Sequence, residues 1–284
     1  MWTAFVVHQP PGVNHSDCFI QSHELFVGQT LVAETTVEAL HEVVSGAKAE
    51  MTKSNENDQN WSNFYSTERR FLYPTELVVR TFLAAYPRLK FVKPQPGQTA
   101  LDVGCGDGRN TRLLCEMGLN VSGVEVTDQL AEVTSQRLAQ LGHTADIRRG
   151  RNSALPFSDN TFDYLLASAV CYYCDEGETI HDNLCEYSRV TKEGGYIVAS
   201  VANSSSYIFN DAEPLPDGTW RIKRHPYGCR NGYRLAGFPD EKTAAETFSQ
   251  YFDDVCYGST QNDYYGIDER LFWLVGKKPV RDSE

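Results

Sequence analysis

The sequence predicts an α/β fold built on a doubly wound, mostly parallel sheet, and three observations carry that expectation. From residue 99 onward, short apolar runs alternate with amphipathic stretches of helical length, the order that a parallel sheet with helices on both faces produces. The first of those runs ends in a glycine-rich turn, Val103-Gly-Cys-Gly-Asp-Gly108. The alternation breaks only near the end, where two strand-like runs joined by a polar turn suggest a hairpin forming an antiparallel edge.

The segments justify this in order. Residues 1–50 differ in character from the rest of the chain and are read as an N-terminal extension of unknown role. Residues 51–60 are polar and turn-rich, the composition of a linker. Trp61, Phe64, Tyr65, Phe71, Leu72 and Tyr73 then form an aromatic cluster. A helical pattern covers 75–86, and 51–98 together are expected to be a lid. The core, 99–202, reads as strands at 99–103, 121–126, 147–149, 162–167 and 196–201. Helices are expected at 112–117, 129–141 and 179–191. Residues 203–240 are a long irregular insertion, expected to cap the site. In 241–284, a helix at 242–252 precedes strands at 254–258 and 271–276.

Bulk properties narrow the function. The 284 residues include 26 Lys and Arg against 38 Asp and Glu, a formal net charge of −12, and 41% are hydrophobic. That hydrophobic content supports a packed core, while the acidic balance is wrong for a general binder of phosphate backbone. No run approaches the ~18 apolar residues of a membrane span, and the opening residues lack the basic start of a signal peptide. The expectation is a cytoplasmic protein with no membrane or nucleic-acid partner, as a monomer or homodimer. Cys171-Tyr-Tyr-Cys174 has no second Cys or His pair at zinc-site spacing, so no metal is expected.

The glycine turn carries most of the chemistry. Glycine lets the backbone turn tightly and approach a cofactor where a side chain would collide. The nicotinamide fingerprint would need a glycine where this chain has Arg109, which argues against an oxidoreductase. The second strand closes on Glu125, whose carboxylate can accept both hydroxyl hydrogens of a ribose.

On these residues the chain resembles the class I S-adenosylmethionine-dependent methyltransferases. Leu101-Asp-Val-Gly-Cys-Gly-Asp-Gly108 is similar to the first motif of that family, and Val124-Glu-Val126 to the second. Leu155-Pro-Phe-Ser-Asp-Asn-Thr-Phe-Asp163 resembles the approach to the family's fourth strand, and Gly194-Gly-Tyr-Ile-Val198 the turn into its fifth. The resemblance implies a Rossmann-like seven-stranded sheet, mostly parallel with an antiparallel C-terminal strand, carrying an inserted cap. It implies S-adenosyl-L-methionine as cofactor. Asp102, Gly104, Cys105 and Gly106 would hold its methionine end, Glu125 its ribose, and Val126 its adenine. Arg151, Asn152 and Ser153 would flank adenine, and Ser168 with Ala169 would face the methionine portion. Many relatives carry an acidic residue where this chain has Arg151.

Methyl transfer from a sulfonium is an in-line displacement in which the protein mainly aligns the partners and excludes water, so no catalytic triad is required. Tyr172 and Tyr173, after the fourth strand, either orient the acceptor or pack beneath the next helix. His225 is a third catalytic candidate. The insertion concentrates aromatics with Arg221, Lys223, Arg224, Arg230 and Arg234. In an acidic chain this suggests an anionic acceptor, with Arg224 and Arg230 as substrate residues. The alternative is a solvated hairpin turning at Pro216-Asp-Gly218. Tyr65 and Tyr73 are candidates to contact the acceptor or the cofactor's carboxylate, with packing of the lid against the sheet as the alternative. The expected function is methyl transfer to oxygen or nitrogen of a small metabolite. A methyltransferase of protein or nucleic acid, and a non-methylating nucleotide binder, are the alternatives.

Overall fold

The computed structural model describes residues 55–66 and 73–281. The extension assigned to residues 1–50, and the candidates Phe71 and Leu72, lie outside the described residues.

The main sheet begins with β1 (Thr99–Val103), β2 (Asn120–Glu125), β3 (Asp146–Arg149), β4 (Phe162–Ala167) and β6 (Thr191–Asn203). These lie in the order β3-β2-β1-β4-β6, all parallel. Next to β6 comes β11 (Asp268–Lys277), antiparallel to it, and then β10 (Asp253–Asp263), antiparallel to β11. The outcome is the mixed α/β sheet with an antiparallel edge that the alternating pattern predicts. The central strands are apolar because both of their faces are covered. Ala100, Leu101 and Leu165 have no exposed surface, and Leu166 is 1% exposed. Truncating Leu165 to alanine at such a site costs about 2–5 kcal/mol. Phe82, Phe91, Tyr164 and Tyr196 meet mainly edge to face, with Phe91 5.4 Å from Phe82 and 5.2 Å from Tyr196.

Among the described residues, helices α2 (Glu76–Leu83), α3 (Arg109–Glu116), α4 (Asp128–Gln140), α5 (Ile180–Val190) and α6 (Glu241–Phe248) accompany the sheet. Local signals start several of them. Thr127 accepts from the Leu130 N–H at 3.1 Å, and Asp240 from the Thr243 N–H at 2.8 Å. Thr179 and Asp182 form a capping box before α5.

Two sequence expectations change. The polar run 51–60 is not all linker, because α1 (Asn55–Ser66) begins inside it. That helix has little apolar periodicity and is held by polar contacts to distant residues, which a local reading cannot see. Second, 203–240 is not irregular. Strands β7 (Ala212–Pro214), β8 (Thr219–Ile222) and β9 (Arg234–Phe238) pair antiparallel, and β5 (Tyr173–Cys174) adds to β9. The end of β9 also pairs with Ala202 and Asn203 of β6, which ties the insertion to the core sheet.

Candidate active site

Where β1, β2 and β4 end, their loops form one cleft, the usual location for a ligand in an open parallel sheet. Its lining includes Gly104, Cys105, Glu125, Val126, Arg151, Asn152, Ser168 and Ala169 from the core. Trp61 and Tyr65 come from α1, Tyr173 from β5, and Arg230 and Tyr233 from the insertion.

Two bare positions shape the turn at the floor of the cleft, Gly104 in the lining and Gly106 outside it. Gly104 (φ 62°) and Gly106 (φ 59°) hold left-handed conformations that favour glycine. A Cβ on Gly104 would stand 2.6 Å from Val170 Cγ2, and one on Gly106 would stand 2.6 Å from the Tyr65 hydroxyl. Beside this floor, Glu125 is 5% exposed. Its carboxylate accepts from the backbone N–H of Gly106 and, at 3.2 Å, of Val126. Burial pushes its pKa up to about 7 against the pull of those two N–H groups. Asp102 lies beneath the floor and outside the lining. It accepts from the Thr111 hydroxyl at 2.6 Å, and burial raises its pKa to about 7 as well. Ala169 adds a left-handed non-glycine residue (φ 58°) at the rim, its N–H donating to Ser200 Oγ at 2.7 Å. Strain of this kind gathers at functional sites.

Helix α1 closes over the cleft through spaced polar contacts. The Asp58 carboxylate, fully buried, pairs with Arg151 at 2.5 Å and accepts from the Tyr233 hydroxyl at 2.9 Å. Arg151 also pairs with Asp175 at 2.9 Å. Ser62 meets Thr127 at 2.9 Å, Asn60 donates to the Asn231 carbonyl at 3.2 Å, and Arg137 donates to the Tyr65 carbonyl at 2.6 Å. Tyr65 keeps its phenolic hydrogen, because burial and the charge of Glu125 both raise its pKa.

Several sequence candidates fall elsewhere, each for a physical reason. Tyr73 is 83% exposed, and the Arg224 side chain is 81% exposed and paired with Asp211 at 3.0 Å. Neither lines the cleft. Tyr172 is sealed in the core, with a pKa pushed up to about 12 by burial. His225 stands behind Arg230 rather than in the cleft. Its Nε2 faces Arg230 Nη1 at 2.8 Å, and burial and that cation lower its pKa to about 3. A ring already committed as an acceptor to a guanidinium cannot take a proton from a substrate. Ser153 lies outside the lining, its hydroxyl donating to Glu178. Asn152 does line the cleft, but its amide donates to the carbonyls of Val170 and Tyr173 at 3.0 Å and accepts from Tyr187 at 2.8 Å. Only one oxygen lone pair is left for a ligand.

The structure also brings in residues that sequence reasoning missed. Asp58 and Asp175 carry no local signal, since their partner Arg151 is far away in the chain. Asn110 lines the cleft and accepts from the N–H and hydroxyl of Thr75 at 3.0 and 3.1 Å. Asp107, 4% exposed, is held by Arg109 at 2.8 Å.

Comparison with known proteins agrees with this geometry. Residues 101–199 match the family described as a methyltransferase domain. Over 102 residues the chain is 30% identical to a demethylmenaquinone methyltransferase of Tropheryma whipplei, covering 36% of this chain and 41% of that protein. It is 31% identical over 124 residues to a malonyl-[acyl-carrier protein] O-methyltransferase of Serratia marcescens, covering 43% and 46%. The matches thus span less than half of these relatives. The N-methyltransferase NodS of Bradyrhizobium japonicum, solved with S-adenosyl-L-homocysteine, shares the fold at a TM-score of 0.55 and 14% identity, covering 79% of this chain and 99% of its own.

Proposed function

We propose that this chain, whose residues 101–199 match a methyltransferase domain, is a class I S-adenosylmethionine-dependent methyltransferase that transfers a methyl group to an oxygen or nitrogen of a small anionic metabolite. The observation that carries the reading is the make-up of the cleft. One part offers a glycine floor and a buried carboxylate, and another offers aromatic rings around a guanidinium.

The residues fit the cofactor. Glu125 spends its carboxylate on two backbone N–H groups and can accept the two ribose hydroxyl hydrogens on its remaining lone pairs. Gly104 presents bare backbone to the cleft where the methionine portion would lie. Val126 offers an apolar wall to adenine, with Asn152 beside it. When bound, S-adenosyl-L-methionine supplies a methyl group already activated on a sulfonium. The protein's share is alignment and dryness. Helix α1 excludes water, with Trp61 and Tyr65 on its inner face. Tyr173 and Tyr65 act as hydrogen-bond donors and not bases, since burial raises both phenols.

The test is to incubate the full chain with S-adenosyl-L-methionine and a panel of small carboxylates and phosphates, following S-adenosyl-L-homocysteine by mass spectrometry. Acceptor-dependent release with a methylated product is expected. Acceptor-independent breakdown, or methylation only of added protein or nucleic acid, would overturn the reading.

A further inference from the structure

The basic residues of the insertion meet different fates. Arg221 pairs with Glu176 at 2.7 Å, Lys223 with Glu213, Arg224 with Asp211 at 3.0 Å, and Arg234 with Asp217. Arg230 is the exception. It is 9% exposed, and among the described residues no carboxylate comes within ion-pair distance of it. Its partners are neutral. Nε donates to the Tyr173 hydroxyl at 2.7 Å, and Nη1 to His225 Nε2 at 2.8 Å and the Tyr207 hydroxyl at 3.3 Å. The guanidinium also lies 5.5 Å from the Trp61 ring centre. Nη2 has no hydrogen-bond partner among the described residues, and Arg230 lines the cleft.

His225 explains how the charge is kept. Nε2 accepts from Arg230, while Nδ1 lies 3.3 Å from the Tyr227 backbone nitrogen and faces Cys229 Sγ at 3.6 Å. Burial and Arg230 hold the ring neutral, so it orients the guanidinium without cancelling it. The half-buried Glu269 makes no ion pair with Arg230; burial raises its pKa against the pull of that cation. A buried cation fixed by neutral groups is unfavourable until an anion arrives. With Nε and Nη1 engaged, the two N–H groups of Nη2 remain to donate to a carboxylate.

We propose that Arg230 is the binding site for a carboxylate of the acceptor, carried on a flat apolar body that lies against Trp61 and Tyr173. This rests on the methyltransferase reading above. His225 is then a positioning residue for Arg230, not a catalytic one.

The probe is benzoate, with neutral benzamide as its isostere, titrated into the full chain saturated with S-adenosyl-L-homocysteine and followed by ligand-observed NMR. Benzoate is expected to bind and benzamide to bind about ten- to hundredfold more weakly, the range of one charge-assisted contact. Arg230→Met should abolish the preference and Arg230→Lys should restore part of it, with S-adenosyl-L-homocysteine binding unchanged in both as the check on folding. Equal binding of the two probes, or none of benzoate to a chain that binds S-adenosyl-L-homocysteine, overturns this inference alone. If Arg230→Met instead weakens S-adenosyl-L-homocysteine but not 5′-methylthioadenosine, which lacks the amino-acid carboxylate, Arg230 serves the cofactor and the inference fails. If the native chain binds no S-adenosyl-L-homocysteine, the underlying reading falls and this one with it.

Discussion

Replacing Glu125 by glutamine should make the empty protein more stable at alkaline pH while weakening its hold on the cofactor. Burial raises the Glu125 pKa from 4.5 to about 7. A carboxyl that gains pKa on folding binds its proton more tightly in the folded chain. Its contribution therefore favours folding below pH 4.5 and is lost as pH rises through about 7. At about 1.4 kcal/mol per pH unit, the ionised group costs the folded state about 3 kcal/mol at pH 8. Glutamine removes that cost but gives up one of the two backbone contacts, at Gly106 or Val126, worth about 1 kcal/mol. The net gain is about 2 kcal/mol, or roughly 3 °C in Tm for a chain of this size, and it should largely vanish at pH 5. Thermal unfolding at both pH values measures it. Calorimetry with S-adenosyl-L-homocysteine should show at least about tenfold weaker binding, through loss of a charge-assisted contact to ribose. For the native chain, affinity should fall as pH drops below about 7 and the carboxylate is protonated. A variant equally destabilised at pH 5 and pH 8 would refute the reasoning, because the buried charge would then carry no cost.

Other perturbations act through the same contacts. Arg151→Ala leaves the buried Asp58 carboxylate without its ion pair, so α1 should lose about 3 kcal/mol or more of its hold on the cleft; faster hydrogen exchange confined to 55–66 would show it. Gly106→Ala sets a Cβ against the Tyr65 hydroxyl at a left-handed φ and should abolish S-adenosyl-L-homocysteine binding in calorimetry while leaving the far-ultraviolet circular dichroism unchanged. The His225 ring, with a pKa near 3, should show no NMR titration between pH 5 and 8. A midpoint near 6.5 would mean that Arg230 does not face it.

What the sequence disclosed and what it hid divide along the range of the interactions. The glycine turn and Glu125 are legible because both belong to β1-α3-β2, where local backbone conformation sets the geometry. The hairpin of β10 and β11 is legible for the same reason, from two apolar runs and a polar turn. Helix α1 is not, because 51–60 looks like linker until Asp58 meets Arg151 across the cleft. Arg224 and Arg230 carry the same signal in the sequence, yet one pairs with Asp211 at the surface and the other is buried with no ion pair among the described residues. Nothing local to either residue separates them, since the difference lies in which acidic side chains the sheet of the insertion brings near. His225 is a similar case: a histidine among aromatics reads as a base until its ring is found behind a guanidinium.

The central claim is that Glu125 and the glycine floor hold S-adenosyl-L-methionine and not a nicotinamide dinucleotide. Calorimetric titration of the full chain with S-adenosyl-L-methionine, S-adenosyl-L-homocysteine and NADH tests it most directly. Micromolar binding of the first two, weakened in Glu125→Gln, with no heat from NADH, is the expected result. Silence from both sulfur ligands, or NADH binding as tightly as they do, would contradict it.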